Sequence, residues 1–226
     1  MTRVPTRMHR VAGLAVASAA LLTGCGAVPD LNPGVAVRVG DDTVSTRHVS
    51  DLSTDYCGAA AAQLQGQSLP GHYINGRVAG SIALRSAADQ LLAEHGVEAD
   101  SSYADAVKQV EAQLGSMKKA ERDALIEVEG AETYVAAVET AVGRDTLGAS
   151  ATDKDALAAG QKEFLSWLDD HDVRIDPRYS VAIKQGQTVL LDTGLSIATS
   201  KTAKTADAPQ PDATYAAGLP STQRCG

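Results

Sequence analysis

Apolar residues recur at three- and four-residue spacing from Val49 to Leu168, whereas on either side of that stretch they alternate with small or polar ones. The first spacing lays an apolar stripe along a helix, and the second puts every other side chain on one face of a strand. A chain divided in this way is expected to fold as a helical body with short strands at its ends. Val35, Val37 and Val39 form the first alternating run, Gly40-Asp41-Asp42 signals a turn, and Thr43-Val44 returns as a short strand. Ser45 is placed to cap the next helix, along which Val49, Leu52, Tyr56, Ala60 and Leu64 share one side.

After a break at residues 66–71, a second helix is expected over residues 73–95, with Val78, Ile82, Leu91 and Leu92 inward and Gly96 as its stop. Ser101 or Ser102 is expected to cap a third, with Tyr103, Val107, Val110 and Leu114 on one face. A fourth helical stretch is expected over residues 116–142, bent or divided at Gly130, because glycine costs about 1 kcal/mol there relative to alanine. Thr152 and Asp155 have the spacing of a capping box, and the helix behind them is expected to bury Leu157, Phe164, Leu165 and Leu168 before ending near His171. Val173 and Ile175 then read as a strand stopped by Asp176-Pro177, and residues 181–183 and 189–191 flank Gln185-Gly186 as a hairpin. From residue 199 the chain is Ser, Thr, Ala, Pro and Asp with few large apolar groups, which reads as an extended tail.

The first residues are of a different kind. Arg3, Arg7 and Arg10 precede an apolar run over residues 11–22, with no acid among them. These are the parts of a secretory signal, and the run is shorter than the roughly 20 residues a membrane-spanning helix needs. Leu22-Thr23-Gly24-Cys25 resembles the lipobox of bacterial lipoproteins. That resemblance implies that Cys25 receives a diacylglyceryl group and becomes the first residue of the mature chain; the alternative is an ordinary signal peptide with an incidental cysteine. The expected organisation is thus a leader (residues 1–24), a tether (25–34), a helical domain with terminal strands (35–198) and a tail (199–226).

Removing the leader takes three of the 20 basic residues and none of the 28 acids, so a net charge of −8 becomes −11. A chain this acidic is expected to bind neither nucleic acid nor anionic head groups by charge. Attachment to the membrane is therefore expected through acyl chains on Cys25, since one chain holds weakly and two or more hold stably. With 4% aromatic residues, the core is expected to be built from Ala, Val, Leu and Ile.

If Cys25 carries lipid, Cys57 and Cys225 remain as a pair in an oxidising compartment. A disulfide is the simplest use of both, and the alternative is two free thiols. A bridge would close a 168-residue loop, which the chain-entropy model credits with roughly 5 kcal/mol before strain is subtracted.

Sites with recognisable spacing are missing. His48, His72, His95 and His171 stand singly, without an H-x-x-x-H or H-x-x-E-H pair, so no metal site is expected. Asp169-Asp170-His171-Asp172, at a helix end, reads as a solvated face. No glycine-rich nucleotide loop, G-x-S-x-G or C-x-x-C occurs, and Glu127 and Glu129 fall on different faces of their helix. Neither catalysis nor a cofactor is expected.

The segment from Val35 to Ser45, followed by Val49 and Leu52, resembles the start of SurA-type N-terminal chaperone domains, in which a strand ends in a V-N-G-x-x-I turn before a capped helix. Here Gly40 stands where that family usually has asparagine, and Asp41 where it has glycine. Val173-Arg174-Ile175-Asp176-Pro177-Arg178-Tyr179 and Leu195-Ser196-Ile197-Ala198 resemble the closing strands of secreted actinobacterial lipoproteins of this group, with Ser180 in place of a usual glycine. Cysteines in the first helix and at the extreme C-terminus recur in that group as well. The resemblance implies a mainly α fold: a SurA-like helical core with short N- and C-terminal strands paired together. SurA-type isomerases carry a separate parvulin domain, and no stretch here has its β-α-β pattern with catalytic histidines. The expected function is therefore that of a lipid-anchored extracytoplasmic, non-catalytic, chaperone-like protein that binds unfolded or envelope polypeptides. The alternative is an accessory or structural lipoprotein of a membrane complex. An exposed apolar cleft between the helices distinguishes the two.

Overall fold

Strand β1 (Val35–Val39) pairs antiparallel with β2 (Asp42–Ser45) on one side and with β4 (Val173–Ile175) on the other, in the order β2-β1-β4. Val37 lies opposite Ile175 and Val39 opposite Val173, so the two ends of the helical body are joined by this small sheet. Gly40, at φ +54°, reverses the chain between β1 and β2, and a Cβ there would meet the Gln90 side chain at 2.8 Å. The computed structural model describes residues 33–191, 198–206, 208 and 210–226. The leader, Cys25, most of the tether and the Leu195-Ser196-Ile197 segment lie outside the described residues.

The described residues form a mainly α fold, 63% helical, with eight α-helices and a few short antiparallel strands. Ser45 caps α1 (Thr46–Ala61), its Oγ accepting from the His48 N–H at 3.1 Å. Helix α2 (Gly71–His95) is the centre of the body and is buried along most of its length; Val78, Ala79, Ala83, Ala87 and Ala88 are completely buried. Its small residues let other backbones come close. A Cβ at Gly76 would stand 2.7 Å from the Tyr179 carbonyl oxygen, and one at Gly80 would strike Thr188. Gly96, at φ +64°, ends the helix in the left-handed conformation.

One helix cap and one buried face differ from expectation. Helix α3 (Ser101–Gln113) is capped by Asp100, whose Oδ1 accepts from the Ser102 N–H at 3.0 Å, so Ser101 and Ser102 are already helical. The fourth stretch, expected over residues 116–142 and bent or divided at Gly130, is divided there into α4 (Lys119–Glu129) and α5 (Ala131–Leu147), and a Cβ on Gly130 would lie 2.3 Å from the Ile126 carbonyl oxygen. In α6 (Asp153–Asp170), capped by Thr152, the buried stripe is Ala156, Gly160, Phe164 and Trp167, whereas Leu157 is 38% exposed. The reason is backbone contact with α5. A Cβ on Gly160 would fall 1.6 Å from the Glu139 carbonyl oxygen, and one on Gly143 would fall 1.8 Å from that of Ala156. Small residues bring the two axes together and turn Leu157 outward.

The hairpin β5 (Val181–Lys184) and β6 (Gln187–Leu190) packs on α2; Gln185 and Gly186 carry φ of +51° and +72°, the pattern of a type I′ turn. The tail is not extended throughout. It contains α7 (Lys201–Ala206) and α8 (Ala213–Ala217), the latter capped by Asp212, and ends as β7 (Arg224–Cys225) paired with β3 (Leu69–Pro70). Ala216 and Cys225 are buried, so a tail poor in large side chains docks through small ones.

Candidate functional site

Helix α3 is amphipathic, yet none of its residues is buried. Its N-terminal end is held firmly. The Asp100 N–H donates to the Ala137 carbonyl at 3.2 Å, and the Asp100 carboxylate pairs with Arg144. Arg85 donates to the Tyr103 hydroxyl at 2.9 Å, with its guanidinium 4.3 Å from the Tyr134 ring centroid, and the two tyrosine rings meet edge to face at 5.0 Å. Farther along, Lys108 pairs with Asp105 inside the helix, and the apolar side opens onto space. That space is a cleft of about 490 Å³. Ala106, Val107 and Val110 of α3 line one wall, Ala60 of α1 with Leu64 just past it another, and Leu125 and Ile126 of α4 a third. The volume and apolar lining are typical of a binding cleft.

The inner end of the cleft is polar. Tyr56 donates its hydroxyl to Glu129, which also accepts from Arg77, with Nε to Oε1 at 3.0 Å. Burial and the neighbouring Glu129 carboxylate push the Tyr56 hydroxyl far above its ordinary range. Burial opposes ionisation of Glu129, but hydrogen bonds from Arg77 and Tyr56 prevail and hold its carboxyl below the usual value. The group is thus an ionised carboxylate with its charge satisfied. Arg77 and Glu129 also line a second cleft, about 580 Å³, between α2, the start of α5 and the β5–β6 hairpin. A third, of about 400 Å³, shares Tyr103, Val107 and Ile126 with the first and adds Arg85, Glu111, Asp123 and Glu127.

Of the sequence-predicted site residues, Cys25 is outside the described residues, and Cys57 and Cys225 lie outside these clefts. Cys57, one position beyond Tyr56, is bonded to Cys225, with Cα atoms 5.5 Å apart. His95 contacts Asp145 at 2.8 Å, and His171 stacks on Trp167 at 3.9 Å between ring centroids, close to Glu94. Among the described residues no group of three or more His, Cys, Asp or Glu side chains could hold a metal ion, and no helix is long and apolar enough to cross a membrane. Tyr179 of the Asp176-Pro177-Arg178-Tyr179 segment is buried against α2 as a packed side chain.

Sequence reasoning missed the Tyr56–Glu129–Arg77 cluster, because its members come from three helices and no local spacing connects them. It also missed Glu139, buried in α5, whose carboxyl is pushed up to about 7 by desolvation. No family model matches this chain, and no match was found among curated proteins or solved structures.

Proposed function

We propose that this protein is a lipid-anchored extracytoplasmic lipoprotein that binds polypeptide segments without catalysis, in the manner its resemblance to SurA-type domains implies. One observation carries the reading: α3 turns an apolar face toward an open cleft rather than into the core. Leaving Val107, Val110, Leu125 and Ile126 around an open cleft exposes apolar surface that burial would stabilise at about 25 cal/mol per Å². An occupant that covers it recovers that free energy. Gln63 and Thr133 at the edge of the cleft can meet the hydrogen-bonding groups of a peptide backbone. Cys25 supplies the membrane attachment in this reading, and the acidic body keeps the protein off anionic head groups.

The test is in vivo crosslinking with a photoreactive amino acid at position 110, followed by purification and identification of the adducts. Many unrelated exported chains, crosslinked from this position and not from exposed Lys154 on α6, support the reading. A single stoichiometric partner would overturn it in favour of an accessory subunit.

A further inference from the structure

The cleft is apolar, but its opening between α3 and α4 is acidic. Glu111 of α3 and Glu127 of α4 line the adjoining cleft, which shares Tyr103, Val107 and Ile126 with the apolar one. Neither carboxylate has a hydrogen-bond or ion-pair partner among the described residues. Of the other charged groups at this opening, the Asp123 carboxylate is neutralised by an ion pair with Lys119. Arg85 keeps its positive charge and is fixed in place by the neutral Tyr103 and Tyr134, so the carboxylates outnumber the cations. Two unpaired carboxylates therefore flank one end of an apolar groove, on a body whose net charge is already negative.

We propose that the preferred occupant is an apolar polypeptide stretch flanked by Lys or Arg, with its basic flank between Glu111 and Glu127 and its apolar part against Val107, Val110 and Ile126. This rests on the polypeptide-binding reading above and adds the chemistry of the segment. A basic flank gains attraction from both carboxylates, whereas an acidic flank meets two like charges. Exposed pairs of this kind contribute modestly and are screened by salt, so they select among segments that the apolar cleft anchors.

The experiment measures fluorescence anisotropy of three labelled ten-residue peptides with the purified full-length exported protein. One has a Leu/Val/Ala core flanked by two lysines, one has the same core flanked by two glutamates, and one has lysine flanks around a serine core. At low salt the first should bind roughly tenfold more tightly than the second. In the Glu111→Gln/Glu127→Gln variant, both on exposed or half-exposed positions, the two should come within about twofold of each other. Equal binding of the two apolar-core peptides to the wild type would overturn the basic preference while leaving polypeptide binding intact. Binding of the serine-core peptide as tight as the first would overturn the anchoring role of the apolar cleft. Absence of binding by all three would remove the polypeptide-binding reading itself, and this inference with it.

Discussion

Gly160 of α6 lies so close to Glu139 of α5 that a Cβ on the glycine would fall 1.6 Å from the glutamate carbonyl oxygen. No rotamer relieves a backbone contact, so the helices must separate to admit a methyl group. Gly160→Ala should therefore destabilise the fold by about 3 kcal/mol or more. Gly115→Ala, where the nearest atom is 4.0 Å away, should change stability by less than about 0.5 kcal/mol. Urea denaturation of the two variants compares them directly; equal midpoints would show that the α5–α6 crossing is looser than described.

Glu139 gives the fold a pH dependence of known sign. Its folded carboxyl, at about 7, lies above the unfolded value of 4.5, so the native state holds the proton more tightly. Below pH 4.5 both states are protonated and the carboxyl carries no penalty. As pH rises through this window the penalty grows, and above pH 7 it levels at about 3 kcal/mol. Glu139→Gln should match the wild type near pH 4.5 and be more stable by about that amount at pH 8. A constant difference between the two proteins across this range would rule out titration of Glu139 as the cause.

Cys225 reaches Cys57 because β7 pairs with β3 and aligns Cys225 with Leu69. The protein purified without reductant should show no free thiol at these positions until reduced. Reduction, or Cys57→Ser/Cys225→Ser, should lower stability by about 2–5 kcal/mol and lower the melting temperature. Calorimetry with a thiol titration checks both. Thiols that react freely in the oxidised, folded protein would mean the tail is held without a disulfide, by the β3–β7 pairing and the packing of Ala216.

Lipidation at Cys25 is tested separately from the fold. Cells fed an alkyne fatty acid should label the wild type, and Cys25→Ser should lose both the label and the membrane fraction. A Cys25→Ser protein that stayed labelled and membrane-bound would move the attachment elsewhere.

The local elements of this fold were legible in the sequence because their causes are local. Ser45 and Thr152 cap helices through their own hydroxyls, Gly96 and Gly130 end helices, and Gln185-Gly186 turns a hairpin. In each case the determining atoms lie within a few residues of one another. Valines alternating with small or polar residues at 35–39 likewise marked a strand before any partner was known.

Which apolar stripe meets which neighbour was decided only by tertiary structure. The third helix carries a sequence pattern like that of a core helix, but it is tied down at Asp100 and Tyr103 and stands open beyond them, so the same face became the wall of a cleft. Leu157 was expected inside and lies outside, because Gly143 and Gly160 let two backbones touch and set the rotation of α6. The tail, poor in large side chains, is ordered at its end by partners far away in sequence, Leu69, Pro70 and Cys57. Tyr56, Arg77 and Glu129 meet for the same reason: packing brought three helices together. Periodicity records how much of a helix is apolar and on which side. What that side faces depends on the close approach of small residues and on anchors elsewhere in the chain, which only the packed structure brings together.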